Sequence, residues 1–532
     1  MKKFLLVFSV LCFVTSCTSV KTYNEQIRSL HTVEDLQNDI DKLYRQLKKH
    51  HPKLYQYTPK AVLDFKFDSL KTAIKQPMNS REFYKKLAPV VTHVRQGHVS
   101  VGSANKRFTR KERKLLKKKK FEFYDLDFEY LNNKLYVKNT RGKDSSLIGN
   151  EVLKIENDLA PNLVETFKTQ FATDGYNTTL HNRFVGKNFK TFYYRNKGFV
   201  DSLKVTFKNK DSVFTKTFKR LKKEDKKVEN DSLKNDSAKT VKPKRLTKSE
   251  KKAKRIARKK KKKFNKKHGY ISKNKYTRNL NFIGNDSTIA LMKIRAFGNG
   301  PYKAFYKESF AKLDSAKTKY FILDLRDNGG GRIAEIDKLY SYLTDKNYQF
   351  ITASEVKSRV PFMTFIMSNT SSTSRKIVGG LLSPIIITHN LLKTKKNAGK
   401  LYYKFNNFSK TKAPNPLHFK GKIYVLINGN SFSASSLLST HLKANKRAVF
   451  VGEETGGAYN GTVAGIYKLY QLPTTKLKVR MGLMQIEAPQ KQLPDGYGVK
   501  PDIKIIPTIK DRKLKIDTEL KWVLSDIEKT SD

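Results

Sequence analysis

Cysteine, tryptophan and acidic residues are all scarce in this 532-residue chain, and each scarcity removes a class of explanation. The only two cysteines, Cys12 and Cys17, lie in the first segment, so the body has neither a disulfide framework nor thiolates for a cysteine zinc site. Asp and Glu number 47 against 109 Lys and Arg, a formal charge of +62. Such a field attracts polyanions at long range, so where the charge lies matters. Residues 219–278 hold 27 Lys or Arg and 6 Asp or Glu, a net +21, about a third of the total. Like-charge repulsion and few apolar side chains predict a mobile, solvated insertion there, largely disordered or fluctuating, with a polar helix as the most its densest part could form. Its functional alternative is contact with an anionic lipid surface or another polyanion. Nucleic acid is disfavoured, because only Phe264 interrupts the densest run and offers too little ring surface for single-strand stacking.

The N-terminus carries Lys2 and Lys3 before an apolar run, Phe4 to Val14, that is too short to cross a bilayer and has the layout of an export signal. Val14-Thr15-Ser16-Cys17 follows at once and resembles a bacterial lipobox. This resemblance implies removal of residues 1–16, lipidation of Cys17 and attachment to a membrane of the bacterial cell envelope. The simpler alternative is an ordinary cleaved signal with an incidental cysteine.

Hydrophobic residues make up 38% of the chain, enough to bury a substantial core, and the length favours several domains. Residues 17–110 read as helical: Thr32 caps Val33, Leu36, Ile40, Leu43 and Leu47, and Asn79-Ser80 precedes Phe83, Leu87, Val91 and Val94. Gly97 is placed to end that helix, with His98 on the exit. Residues 111–218 are β-rich, and Gly149 to Asn157 resembles part of a PDZ domain, with a plain β-rich connecting domain left open. After the Lys-rich insertion 219–278, residues 279–508 alternate strands and helices as an α/β core does, and 509–532 form a C-terminal helix. The expected fold class is therefore multidomain α/β: an α/β core, an N-terminal helical region and a β-rich, PDZ-like domain.

Two glycine-containing junctions end buried strands, the place where open α/β sheets put ligands. The first, Tyr320-Phe-Ile-Leu-Asp-Leu-Arg-Asp-Asn-Gly-Gly-Gly331, lacks the Lys-Ser or Lys-Thr of a Walker loop and does not match the dinucleotide fingerprint. Asp324 and Arg326 alternate along it and suit a buried ion pair better than proton transfer. The second runs from Ile423 through Asn428-Gly-Asn-Ser-Phe-Ser-Ala-Ser-Ser436. A serine at such a helix start presents its hydroxyl to the positive helix end, although simple N-capping explains a serine there as well.

These two junctions, then Val451-Gly-Glu-Glu-Thr-Gly-Gly457 and Gly498-Val-Lys-Pro-Asp-Ile503, occur in the order and approximate spacing of the tail-specific, C-terminal-processing serine peptidase superfamily, which the chain resembles over about 230 residues. The resemblance implies Ser433 as nucleophile, with the N–H groups of Ala434 and of Gly329 or Gly330 as the oxyanion hole. Members with a serine–lysine dyad carry a lysine soon after the third block, where this chain reads Thr455-Gly-Gly-Ala-Tyr-Asn-Gly461. The chain is therefore closer to the tricorn-like serine–histidine branch, which implies His98, in Gln96-Gly97-His98-Val99, as general base. Asp495 is the implied third member, with an ordinary turn aspartate before Gly496 as its alternative. His441, eight residues beyond Ser433, stands about 12 Å along a helix and is out of reach. Ser436 replaces the family's glutamate, which leaves a catalytically weak or inactive peptide-binding scaffold as the second reading. Polypeptides are the implied substrates, and no metal or cofactor is implied. For the anchor, Cys17→Ala should move the protein from the membrane to the soluble fraction; unchanged fractionation would remove the lipidation reading.

Overall fold

In a computed structural model, which describes residues 19–142, 144–223, 247–272 and 274–531, the N-terminal region is helical, as the capping residues predict. The leader 1–16, Cys17 and residues 224–246 of the Lys-rich insertion lie outside the described residues. The Thr32 hydroxyl accepts the Asp35 N–H at the start of helix Val33–His50, and Asn79 forms a reciprocal capping box with Glu82 before helix Ser80–Thr92. The latter helix stops before Gly97. The amides of His93 and Val94 turn back to the carbonyls of Val90 and Val91, and Arg95 takes a left-handed φ of 53°, so the terminating residue is not the glycine.

The chain is a mixed α/β, multidomain structure that divides into two compact units, each assembled from three stretches of sequence. One comprises residues to Arg220, Ile351–Asn406 and Gly461–Glu487. The other comprises Leu221–Phe350, Asn407–Asn460 and Ala488–Asp532. Residues 351–406 and 461–487, which alternation alone groups with the α/β core, thus fold with the N-terminal helices. The reason is strand pairing: Lys478–Ile486 runs antiparallel to Ser100–Gly102, to Thr462–Gln471 and, at one register, to Ser354–Val356.

Within the first unit, the stretch expected to be β-rich forms a seven-stranded sheet running in the order Lys119–Phe121, Ser212–Lys222, Ser202–Asn209, Glu151–Ile155, Lys134–Thr140 and Leu126–Leu131, with Asp158–Leu159 paired beside Glu151–Ile155. Helices Ala160–Lys168, Thr179–Lys187 and Phe189–Lys197 supply the other half of its core. Rings of Phe123, Phe128, Phe167, Phe189 and Phe192 meet there at centroid distances of 5.2–5.8 Å, favourable tilted and offset arrangements.

The second unit carries a six-stranded sheet in the order Arg278–Ile283, Ile289–Ile294, Tyr320–Asp324, Lys422–Ile427, Val449–Gly452 and Ile503–Lys504. Only the first pairing is antiparallel. Its central strands are near-continuous apolar runs because both faces are covered. Phe310 of helix Tyr302–Ser315 packs on Phe321, while Val523 and Ile527 of the C-terminal helix Thr518–Ser531 pack against Ile322, Tyr424 and Val451.

The densest part of the Lys-rich insertion is one helix, Lys248–His268, the polar helix that the sequence allows there. Thr247 and Glu250 form a capping box, Gly269 ends the helix at φ 69°, and none of the 21 helical residues is buried. Only its last turn is docked: Phe264 stacks on His268 at 4.0 Å and meets Tyr276 at 5.5 Å, and Lys267 pairs with Glu308. Local caps and this aromatic contact offset the charge repulsion that argues against the helix.

Asp324 closes the strand Tyr320–Asp324 as the hub of a buried ion cluster, 2.7 Å from Lys293 and 2.8 Å from Arg326. Arg326 also reaches Asp517 at 2.6 Å and Glu519 at 3.1 Å, tying the C-terminal helix to the sheet. Burial pushes the Asp324 carboxyl up, but the two cations outweigh it and hold it below the usual carboxylate range. A depressed folded-state pKa stabilises the fold above the unfolded value, near 4, and that stability is lost as pH falls through the folded value. Asp324→Asn should cost about 3–5 kcal/mol, by leaving Lys293 and Arg326 under-compensated, and should flatten the acid limb of a chemical-denaturation profile.

Candidate active site

Two parallel neighbours, Tyr320–Asp324 and Lys422–Ile427, end side by side, with Asp324 opposite Leu426. The loops that leave them are laced together. The Ser431 hydroxyl donates to the Leu325 carbonyl at 2.8 Å and accepts the Asn428 N–H at 3.1 Å. Asn428 Oδ1 accepts the N–H groups of Asp327 and Asn430, each at 3.0 Å, and Asn430 Nδ2 donates to the Asp327 carboxylate at 2.8 Å. Asn328 is fully buried and donates through Nδ2 to the Ile294 carbonyl at 3.0 Å, and its own carbonyl accepts the Phe432 N–H at 3.0 Å. Ser/Asn side chains thus satisfy backbone groups that leave the sheet ladder.

At the end of this lacework stands Ser433, at φ 58° and ψ −116°, immediately before helix Ala434–Ala444. A β-carbon-bearing residue in this region is strained and persists only where its surroundings over-determine it; a sharp strand-to-helix turn of this kind exposes a nucleophile's hydroxyl. The capping alternative fails on a direct observation: the Ser433 side chain makes no cap hydrogen bond to its helix.

The first, second and third motif blocks converge on this residue. A Cβ added at Gly330 would lie 2.6 Å from the Phe432 carbonyl oxygen, 2.7 Å from the Ala434 nitrogen and 2.9 Å from the Ser433 Cβ. A Cβ on Gly457 would lie 2.6 Å from the Ser436 hydroxyl and 2.9 Å from the Ser433 nitrogen. The fourth block locks onto the third: Val499 N–H donates to the Thr455 hydroxyl at 2.8 Å and Gly498 N–H to the Glu454 carboxylate at 2.6 Å. Ser436, where the family has glutamate, donates to the Ser431 carbonyl at 3.0 Å and so braces the turn from inside.

Of the two glycines expected to serve an oxyanion hole, Gly330 spends its N–H on Asn328 Oδ1 at 2.9 Å. Gly329 is exposed, and among the described residues its N–H donates to no backbone or side-chain acceptor. Gly329 is thus the available donor of the pair, beside the Ala434 N–H at the positive end of the helix. Asp495 accepts the adjacent Gly496 N–H at 2.7 Å, as a turn aspartate does. His441 is a core residue: it is fully buried, its Nε2 lies 2.7 Å from the Phe350 carbonyl, its ring stacks on Phe350 at 4.5 Å, and burial holds it down to about 4.

His98 belongs to the first unit, where Gly97 N–H donates to the Asp174 carboxylate at 2.8 Å and Val99 N–H to the Gln96 carbonyl at 2.8 Å. Asp174 also accepts from the Thr462 hydroxyl at 3.0 Å, which pins the turn that carries the imidazole. Arg480 Nη1 stands 3.4 Å from His98 Nδ1, and the Tyr467 ring lies 5.4 Å from the imidazole and 3.7 Å from the guanidinium carbon. Burial first, and then the Arg480 charge, hold His98 down to about 3, so it is neutral at pH 7. Asp174, Tyr467 and Arg480 carry no motif of their own and are separated from His98 by long stretches of sequence; only strand pairing reveals them.

Residues 288–505 match the model of Peptidase family S41. The matched segment contains the Gly-rich loop, the Ser433 turn and both later blocks, and leaves His98 outside. A protein of Chlamydia trachomatis serovar D (strain ATCC VR-885 / DSM 19411 / UW-3/Cx) is 29% identical over 177 residues, covering 28% of this chain and 29% of that protein, so the match spans under a third of the relative's length. Among solved structures, mature CPAF complexed with lactacystin covers 94% of this chain and 98% of its own at a TM-score of 0.59 and 14% identity. Mature CPAF alone covers 92% of this chain and 95% of its own at a TM-score of 0.56, and a CPAF mutant covers 92% and 96% at a TM-score of 0.58, both at 14% identity. These likenesses support the tail-specific peptidase superfamily through the S41 segment and a CPAF-like fold for the chain. Gly330→Ala, at φ 94° and against three close backbone or Cβ atoms, should cost at least about 1–3 kcal/mol and dislodge the Ser433 turn, whereas Gly380→Ala, with nothing within 4 Å, should leave thermal denaturation unchanged.

Proposed function

We propose that this chain is an envelope-anchored serine endopeptidase of the serine–histidine branch. The single observation that carries the reading is the strained Ser433 at a strand-to-helix turn, with Gly330 and Gly457 against its backbone and no capping role for its side chain. Ser433 Oγ attacks the scissile carbonyl, and its proton passes to His98. The Gly329 and Ala434 N–H groups receive the oxyanion. The protonated imidazole gives its proton to the leaving amine, and water, deprotonated by the same imidazole, releases the acyl group. Asp495 is proposed as the third member. Lipidated Cys17 holds the protein on the membrane, polypeptides of the envelope are the substrates, and the cationic helix within 219–278 supplies accessory contact with anionic lipid or another polyanion.

One observation favours the second reading, a peptide-binding scaffold with weak turnover. The imidazole faces a guanidinium where a carboxylate would raise its basicity, and a base held near 3 has little driving force to accept a serine proton. A fluorophosphonate probe separates the two. The peptidase reading expects covalent labelling of the wild type and none of Ser433→Ala; equal labelling of both overturns Ser433, and labelling of neither favours the scaffold.

The pH dependence tests the base. His98 at about 3 stays unprotonated from pH 8 to 5, so the labelling rate should not fall over that range, whereas a histidine at its usual 6.5 would be roughly 97% protonated at pH 5. Arg480→Met removes the second cause of the depression and leaves burial, so the acid limb of the labelling profile should move to higher pH. A limb unmoved by this change and by His98→Gln would remove His98 from the role.

A further inference from the structure

Between Glu355 and Glu453 the chain contains no Asp or Glu. In that acid-free stretch the first unit carries three short helices, Pro361–Ile366, Thr373–Leu381 and Ser383–Lys393, the last two joined through Leu382 alone. One side of the hairpin is anchored. A Cβ on Gly379 would lie 2.2 Å from the Ile366 Cγ2, so the helices touch closely there, and buried Asn390 accepts the Phe362 N–H at 3.3 Å while donating to the Ile386 carbonyl at 2.5 Å.

The other side is bare and apolar. Nine of the 29 exposed large apolar side chains among the described residues fall within 367–392, which makes a patch and not the single scattered residues normal for a protein surface. Leu381, Ile385 and Leu392 are 77%, 70% and 73% exposed, and Ile377, Val378 and Leu382 accompany them. These side chains gather about the bend Gly380-Leu381-Leu382-Ser383-Pro384-Ile385 that joins the two helices. Cations bracket it: Arg375 and Lys376 lie before the bend, and Lys393, Lys395 and Lys396 after it.

An apolar tip ringed by cations, with no carboxylate to repel phosphate, is complementary to an anionic lipid surface. A second copy of this chain is a poorer fit, since a two-fold contact on this face would bring its uncompensated lysines toward their own copies. The longer helix, 11 residues, extends about 16 Å and cannot cross a hydrocarbon core of roughly 30 Å. Among the described residues no helix is long and apolar enough to cross a membrane. We propose that the hairpin Thr373–Lys393 is a monotopic membrane-insertion element, which buries Leu381, Leu382 and Ile385 at the headgroup–acyl boundary of an anionic bilayer and sets its flanking lysines among the phosphates. The proposal depends neither on peptidase activity nor on acylation of Cys17.

The test uses the chain from residue 17 onward carrying Cys17→Ala, so that neither leader nor acyl group contributes, in co-sedimentation with vesicles. Binding is expected to vesicles containing phosphatidylglycerol and to be at least tenfold weaker to pure phosphatidylcholine. Leu381→Asp combined with Ile385→Asp should weaken binding to the anionic vesicles at least tenfold with an unchanged melting temperature. Lys393→Glu with Lys395→Glu and Lys396→Glu should weaken it and leave a smaller salt dependence. Absence of wild-type binding, or equal binding to the neutral vesicles, would overturn the proposal. So would vesicle binding that survives the double aspartate variant, vesicle binding that charge reversal within 248–263 alone abolishes, or light scattering that shows the double aspartate variant converting a dimer to a monomer.

Discussion

Everything distinctive about the Ser433 turn depends on one constraint: two parallel strand ends must hand their unpaired backbone groups to each other's loops. Asn328, Asn428 and Ser431 do this work by bridging residues about a hundred positions apart in the chain. Without those bridges a serine at positive φ would relax toward an ordinary helix cap, because the strained conformation persists only where its surroundings hold it. The two glycines beside the turn follow from the same demand, since side chains at Gly330 and Gly457 would occupy space that the bridged backbone already fills. The ion cluster around Asp324 serves the turn at one remove, fixing the end of the strand from which the first loop departs and binding it to the C-terminal helix.

Much of this was legible in the amino-acid order. Buried parallel strands read as unbroken apolar runs, and Leu-Asp-Leu-Arg-Asp-Asn-Gly-Gly-Gly and Asn-Ser-Phe-Ser-Ala-Ser mark strand ends through residues whose chemistry suits them to tight turns. Asp324 and Arg326 declared their pairing through alternation alone, and the structure bears this out. What surrounds His98 could not be read, because Arg480 reaches it through a strand that pairs with Ser100–Gly102 across nearly four hundred residues, and Tyr467 lies on the strand beyond that one. The choice between Gly329 and Gly330 was equally hidden, since it rests on where a single asparagine carbonyl points. That the densest charge run forms the helix Lys248–His268 was less legible, because charge repulsion is visible along the sequence, whereas the meeting of Phe264 and Tyr276 is a tertiary fact.

Positive charge is distributed by role. The helix Lys248–His268 presents it with none of its residues buried, while around the hairpin Thr373–Lys393 it frames an apolar bend. The buried cations Lys293 and Arg326, by contrast, are matched to carboxylates within hydrogen-bond distance. A net formal charge therefore says little until it is divided among solvated, framing and paired sites.

The threading of the chain through its two units has a consequence for how the molecule comes into being. Five passages between the units, at 220/221, 350/351, 406/407, 460/461 and 487/488, mean that neither is a contiguous stretch of polypeptide. Strand Lys478–Ile486 is central to an antiparallel sheet of the first unit, so that sheet cannot close until nine-tenths of the chain has emerged. Completion of that sheet is thus deferred to the end of synthesis, and until then the strands that flank Lys478–Ile486 have unpaired edges.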